Sequence, residues 1–478
     1  MRMSEMPDPR PWWKDLQPYH WFVFTMSCLA WLFDCLDQQL FLLFRFDALK
    51  SLLPPGTEPA VVNQYGGYAT SIFVAGWATG GLLFGSIGDR IGRARTLAIT
   101  VLLYSLFTGL SALSRHWWDF ALYRFITGLG VGGVFGLAVA LTADSLPDRS
   151  RAGALGMLQA LSAVGNIAAG LISMGMGDLI RSGTLSSANA WKYAFLIGAA
   201  PALLCVFIQW KLKEPEKWVR AREAGRATGV KFGSYTTLLG AGPWRRPALL
   251  GMLLCISGVI GLWGIGFFSP ELVGGVISQS LREQGLSPTE VASAATHYRG
   301  VNSIIQNSGA FFGIVAFAAL AQRFGRKPAF ALSFVGAFLA TNAYFHFFNG
   351  VQDLWMSAVM GFFQLALFGG FAIYLPELFP TRLRSTGTSF CYNVGRFLAA
   401  TGPFTLGLLQ KRLGDAAIAR LGEAATAPEQ ATARMDAFRD ATSWVSLVFL
   451  LGLVAVYFLP ETRNRPLPED LPTGDHRG

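Results

Sequence analysis

The sequence predicts an all-α polytopic membrane protein: twelve transmembrane helices in two six-helix bundles with pseudo-two-fold symmetry. Three observations predict it. The chain has 478 residues of which 52% are hydrophobic and only 14% charged, against roughly 25% charged in soluble domains. Apolar runs long enough to cross a bilayer recur along the whole chain, and charged motifs from the first half return in the second at a fixed spacing.

Runs of at least about 18 apolar residues, the length that crosses hydrocarbon, lie near 20–44, 65–88, 96–113, 119–142, 152–177 and 191–211, and again near 247–275, 298–320, 328–348, 354–376, 386–410 and 442–459. These runs divide the chain into a tail (1–18), a first bundle (19–212), a linker (213–246), a second bundle (247–460) and a second tail (461–478). No small-residue cleavage site follows the first run, which is read as a retained helix. The five cysteines, Cys28, Cys35, Cys205, Cys255 and Cys391, fall in apolar runs without metal or disulfide spacing. They are read as packing residues, and neither a metal nor a cofactor is expected.

The net charge of +10 is spread over short segments between the runs rather than gathered on one face, which argues for topology and against a nucleic-acid partner. Arg90, Arg93 and Arg95 follow the second run, Arg149 and Arg151 the fourth, Arg323, Arg326 and Lys327 the eighth, and Arg382 and Arg384 the tenth. Together with the basic linker they mark one side as cytoplasmic, both termini included. The basic stretch 411–440 is assigned to a long outer loop, where the rule is weak. The chain is therefore expected in a plasma or bacterial inner membrane, with the lipid bilayer as its partner and a monomer as a sufficient state.

Arg90, Gly92 and Arg93 recur as Arg323, Gly325 and Arg326 at an offset of 233 residues. The same shift carries Asp144, Pro147, Arg149 and Arg151 onto Glu377, Pro380, Arg382 and Arg384, and Gly128 and Gly136 onto Gly361 and Gly369. An even number of spans per half makes the repeats parallel, with a solute site between them. Gly128, Gly132 and Gly136, four residues apart, leave a face open to close helix packing. The nearby G-L-G-V-G-G lies inside a span, so a dinucleotide loop is rejected.

The run G-S-I-G-D-R-I-G-R from Gly85 to Arg93 resembles the signature loop of the major facilitator superfamily, and Q-R-F-G-R-K from Gln322 resembles its degenerate second copy. The segments from Pro376 to Gly387, from Arg124 (R-F-I-T-G-L-G-V-G-G) and from Leu459 (L-P-E-T-R) agree, and look most like the branch of sugar porters and proton-coupled organic-acid symporters. The resemblance implies alternating access by two rocking bundles. It implies gating roles for Gly85, Asp89, Arg90, Gly92, Arg93 and Arg326, with Asp89 locking one conformation through charge and helix-terminus contacts. Glu377 and Arg384 are expected as a charge pair at the opposite bundle.

Charged residues that break the repeat are the better candidates for solute chemistry, because ionisable groups in a membrane are costly. Asp34 and Asp37, three residues apart in the first span, are matched by Phe267 and Pro270 in the second half; they are the proton-coupling candidates, the proton being the expected coupling ion. Arg124 lies near the outer end of the fourth span, at the depth of Asp37, where it either pairs with that acid or snorkels to the interface. Arg396 lies about ten residues into the eleventh span, too deep to escape to water, and suits a substrate carboxylate, with Asn393 on the same helix face. Gln306, Asn307 and Trp263 complete the substrate candidates; Trp263 and Phe268 offer aromatic surface or plain core packing.

The D-C-L-D of the first span, Arg124 and the N-V-G-R ending at Arg396 look like the aromatic-acid:proton symporters, with Cys35 where that group usually has glycine. The seventh span lacks the paired glutamines of sugar porters. The expected function is therefore secondary active transport, as proton-coupled symport of a small organic carboxylate, an aromatic one included. A sugar or polyol porter and a transporter-like sensor are the alternatives. An enzyme is rejected, since no nucleophile, histidine and acid constellation is present.

Overall fold

A computed structural model describes residues 11–57, 59–182, 184–199, 211–399, 402–421 and 426–469. The first half comprises α1 (Pro18–Leu52), α2 (Pro59–Ile91), α3 (Arg93–Ser111), α4 (Trp117–Ser145), α5 (Asp148–Arg181) and α6 (Ser187–Ile197). The linker carries α7 (Glu216–Thr228) and α8 (Tyr235–Leu239). The second half comprises α9 (Arg245–Gly264), α10 (Ser269–Glu283), α11 (Pro288–Phe324), α12 (Arg326–Phe347), α13 (Trp355–Tyr374), α14 (Arg384–Ala399), α15 (Gly402–Leu421), α16 (Ala427–Ser446) and α17 (Val448–Phe458). Among the described residues, ten stretches are long and apolar enough to cross a membrane. The sixth and eleventh expected spans run into residues 200–210 and 400–401, and Cys205 with them lies outside the described residues.

Two expectations change. The seventh span is not one helix: α9 stops at Gly264, Ile265 leaves helical geometry, and a 3-10 turn at Gly266–Phe268 leads into α10. Pro270 has no N–H to give to residue 266, and the flanking glycines hold the helix weakly. The stretch 411–440 is not an irregular loop either, because α15 and α16 run far into it and pack on each other.

Glycine sets how closely the helices approach. A Cβ on Gly76 or Gly80 of α2 would strike the backbone of Phe125 or Leu129, and one on Gly128 or Gly132 of α4 would strike the backbone of Phe73 or Trp77. Backbone cannot yield as a side chain can, so these positions admit no larger residue. The second half repeats the contact at the same offset: Gly309 and Gly313 of α11 meet the backbone of Ala358 and Phe362, and Gly361 that of Gln306. The repeat read in the sequence is thus a repeat of helix packing.

The two halves meet where α2 lies against α14 and α5 against α11. One face of the molecule carries the signature loops, the linker and the first and last described residues, and is called the terminal face below. There Gly92 (φ +122°) and Gly325 (φ +104°) turn the chain in a region that favours glycine. The helix after each turn has its free N–H groups taken by a carboxylate from a distant segment. Glu214 accepts from Arg93 (2.7 Å) and Arg95 (3.1 Å), and Glu461 accepts from Arg326 and Lys327 (both 3.0 Å). Partial burial of Glu461 opposes its ionised form, but donation from Arg326, Lys327 and Arg463 outweighs this and holds the carboxyl below its usual range. At the other chain end Asp15 pairs with Arg149 at 2.8 Å and Tyr19 bonds the backbone of Lys213.

Candidate functional site

On the terminal face the halves are joined by buried charge. Asp89 ends α2 and is fully buried. It accepts from the backbone N–H groups of Thr386 (2.8 Å) and Ser385 (3.2 Å) and from Thr386 Oγ1 (2.7 Å), all in the first turn of α14. A carboxylate of one half thus caps a helix of the other, where the helix dipole favours negative charge. Arg93 lies 3.3 Å from Asp89 and donates to the Thr381 carbonyl at 2.6 Å.

Asp144 is paired with both Arg93 and Arg384. The expected Glu377–Arg384 pair does not form. Glu377 is held by Arg326 of its own half, through Nε at 3.1 Å and Nη2 at 2.7 Å, while Arg384 crosses to Asp144. The 3-10 turn at Thr381–Leu383 separates the two and starts α14 at Arg384, directed to the other half. Arg93–Asp144 and Arg326–Glu377 are therefore the repeat-related pairs, and Arg384 adds the bridge between halves. Gly85 leaves room for Ser389 of α14, and Arg90, on the surface, donates to the Gly233 carbonyl at 3.2 Å.

Between the halves lies a cavity of about 290 Å³. Trp31, Cys35 and Gln38 of α1, Trp77 of α2, and Gln159 and Asn166 of α5 line one wall. Trp263 and Gly266 from the broken seventh span, Gln306 and Asn307 of α11, and Tyr392 and Arg396 of α14 line the other. Two cations line it, Arg45 of α1 and Arg396; Arg396 is the one held between aromatic rings. The guanidinium sits 3.6 Å from the Trp77 ring centroid and 4.2 Å from that of Tyr392, a double cation–π contact. Its Nη1 donates to Asn393 at 2.8 Å, while the buried Nε has no hydrogen-bond partner. Asn393 stands behind the lining and steadies Arg396.

Of the other sequence candidates, Trp263 meets Trp77 edge-on at 5.6 Å, and Asn307 accepts from Asn166 across the halves at 3.2 Å. Phe268 packs on Phe438 instead of lining the cavity. The two aspartates diverge. Asp34, buried just behind Cys35 and Gln38, accepts from Gln38 at 3.0 Å and has one oxygen without a partner. Asp37 accepts from Thr108 at 2.7 Å and lies 3.8 Å from Arg124. Arg124 is fully buried and donates to Ser111, Thr108 and Thr127, so it does not snorkel. Neither Asp37 nor Arg124 lines the cavity; they form a polar cluster inside the first half.

Sequence reasoning missed Trp77, Tyr392, Gln38, Gln159, Asn166 and Arg45 as lining residues. Gln159, Ser162 and Asn166 are spaced three and four apart, which puts them on one helix face in an otherwise apolar span. That stripe was a readable signal.

A family model described as Major Facilitator Superfamily matches residues 40–403. The chain belongs to the Major Facilitator Superfamily. It is accordingly an integral membrane transporter and not an enzyme. Among relatives in the superfamily, a putative metabolite transport protein of Haemophilus influenzae is 27% identical over 94% of this chain and 98% of its own. A cis,cis-muconate transport protein of Acinetobacter baylyi is 26% identical over 81% and 86%. The solved structure of a proton:xylose symporter bound to 6-bromo-6-deoxy-D-glucose superposes with a TM-score of 0.71 at 18% identity, covering 94% of this chain and 98% of that one. This last likeness is one of fold.

Proposed function

We propose that the protein is a proton-coupled symporter of a small organic carboxylate, with Arg396 holding the carboxylate and Asp34 carrying the proton. The observation that carries the reading is Arg396 itself: a guanidinium lining the cavity between two aromatic rings, with a buried Nε–H left unpartnered. Leaving a buried donor unsatisfied costs about 1–3 kcal/mol, a cost that a bound carboxylate removes through two parallel hydrogen bonds. The aromatic walls suit a flat, conjugated or ring-bearing acid, and a relative named for cis,cis-muconate transport points to the same class.

Asp34 is the proton carrier because it stands next to the lining, whereas Asp37 is engaged by Thr108 and Arg124. Carrying a proton with the anion makes the step electrically neutral, which matters when each charge moved against the potential costs about 2.3 kcal/mol per 100 mV. The basic terminal face is cytoplasmic by the positive-inside rule. With that face sealed by Asp89, Asp144 and Arg384, the cavity belongs to a state closed toward the cytoplasm, in a plasma or bacterial inner membrane.

The test is uptake of labelled aromatic and aliphatic carboxylates and sugars into proteoliposomes, with and without an inward proton gradient, for the parent protein, Arg396→Ala and Asp34→Asn. Gradient-driven carboxylate accumulation, lost in Arg396→Ala and reduced to gradient-independent exchange in Asp34→Asn, is expected. Sugar uptake, or carboxylate uptake indifferent to Arg396 and to the gradient, overturns the reading.

A further inference from the structure

A second cavity, of about 300 Å³, opens on the terminal face away from the transport cavity. Its walls are Arg90 at the end of α2, Arg222 and Arg226 of α7, and the returning chain at Gly229, Val230 and Phe232. The sequence folds this way for local reasons. Gly229 (φ +70°) ends α7 in a left-handed turn, and Val230 N–H bonds back to the Gly225 carbonyl at 3.0 Å. Arg222 and Arg226, four residues apart, project from one helix face toward Arg90.

Three guanidiniums border this cavity and no carboxylate lines it. Among the described residues none of the three makes an ion pair: Arg90 donates to the Gly233 carbonyl and Arg222 lies over the Trp218 ring at 4.9 Å. The C-terminus of α7 contributes roughly −0.5 of a charge, far short of neutralising three cations. Like charges around an open, wet space repel only modestly, by about 1 kcal/mol for a pair at 4 Å in water, and a counter-anion that occupies the space turns that repulsion into attraction to all three. The fork of a guanidinium matches a phosphate oxygen pair, and the volume lies at the lower end of small-ligand sites.

We infer that this pocket binds a phosphate group, held by Arg90, Arg222 and Arg226, and that the bound anion fastens the linker to α2. Its place at the membrane-proximal end of α2 allows two sources, the headgroup phosphate of an anionic lipid or a soluble phosphate. The consequence reaches the transport machinery through contacts already formed. Trp218 donates to the Asp89 carbonyl at 3.0 Å, and Gly233 accepts from Ser86 and Arg90 of the first half while donating to the Arg382 carbonyl of the second at 3.0 Å. An anion that orders the linker therefore favours the state in which the terminal face is closed.

The test uses the full chain and reads hydrogen–deuterium exchange across residues 216–233 together with the melting temperature. One arm titrates inorganic phosphate in detergent against chloride at matched ionic strength. The other compares nanodiscs of phosphatidylcholine with nanodiscs containing phosphatidylglycerol. Two variants accompany the parent: Arg222→Gln with Arg226→Gln, which removes two of the pocket's three charges and leaves Arg90, and Arg226→Glu, which supplies its own carboxylate. The expected result is saturable, several-fold slowing of linker exchange and a raised melting temperature in at least one arm, abolished in both variants. Response to phosphate identifies a soluble ligand, and response to phosphatidylglycerol alone identifies the lipid. No response in either arm, or a response that survives in both variants, overturns the inference.

Discussion

Asp89 and Thr386 belong to different halves of the molecule and are joined twice, through the Thr386 N–H at 2.8 Å and its Oγ1 at 2.7 Å. Both donors need an acceptor, and the helix N-terminus favours a charged one. Asp89→Asn keeps the shape but replaces an acceptor oxygen with donors, at a cost of about 1–3 kcal/mol. That cost falls only on the state in which the halves touch, so the population with an open terminal face should rise by roughly five- to over a hundredfold. Spin labels at Arg95→Cys and Arg323→Cys read the separation. An unchanged distance distribution in Asp89→Asn would show that the cap does not hold the halves together.

Asp144 is shared by Arg93 and Arg384, which makes the three residues unequal. Arg384→Gln leaves Asp144 paired with Arg93 inside the first half. Asp144→Asn instead leaves two buried guanidiniums facing a neutral group, the kind of break that costs about 3–5 kcal/mol. Melting temperatures of the purified variants should therefore fall further for Asp144→Asn than for Arg384→Gln. Arg384→Gln should show its main effect on the closing of the halves. The reverse order of stability would mean that Arg384, not Arg93, is the main partner.

The two buried pairs also mark what the sequence could and could not disclose. The spans and the offset of 233 residues are written in hydropathy and spacing, and within the described residues, the broken seventh span aside, they survive as helices and as the Gly76–Phe125 and Gly309–Ala358 style of packing. The offset even contained the pairing, since Arg93 and Asp144 shift onto Arg326 and Glu377. Which partner Arg384 takes was not legible, because it depends on how a short turn aims one side chain across an interface between distant segments. The cavity was partly legible. Arg396, Trp263, Gln306 and Asn307 stand out as polar or aromatic residues in apolar runs. Trp77 and Tyr392 do not, since an aromatic residue in a membrane span looks the same whether it packs or faces a solute.

Trp77 and Tyr392 hold the Arg396 guanidinium from two sides. Cation–π contacts contribute about 0.5–2 kcal/mol depending on how dry they are. On the carboxylate reading, Trp77→Leu releases Arg396 to alternative rotamers and should raise KM for the transported acid by roughly two- to thirtyfold, with little change in maximal rate. Kinetics of uptake in proteoliposomes measure both. A fall in maximal rate at constant KM would instead place Trp77 in the conformational step.

Glu461 offers a pH-dependent test of how the second chain end is fastened. Its carboxylate accepts from the first N–H groups of α12, and these bonds hold its pKa below the ordinary value of 4.5. A group whose folded pKa is depressed contributes stability that is present above the unfolded pKa and is lost as pH falls through the folded one. Glu461→Gln removes the charge at every pH. The melting-temperature gap between the parent protein and Glu461→Gln should therefore be full near neutrality and should narrow as pH drops below about 4.5. A gap independent of pH would mean that the side chain acts through shape and neutral hydrogen bonds, and that its charge contributes nothing to fastening the segment after α17 against α12.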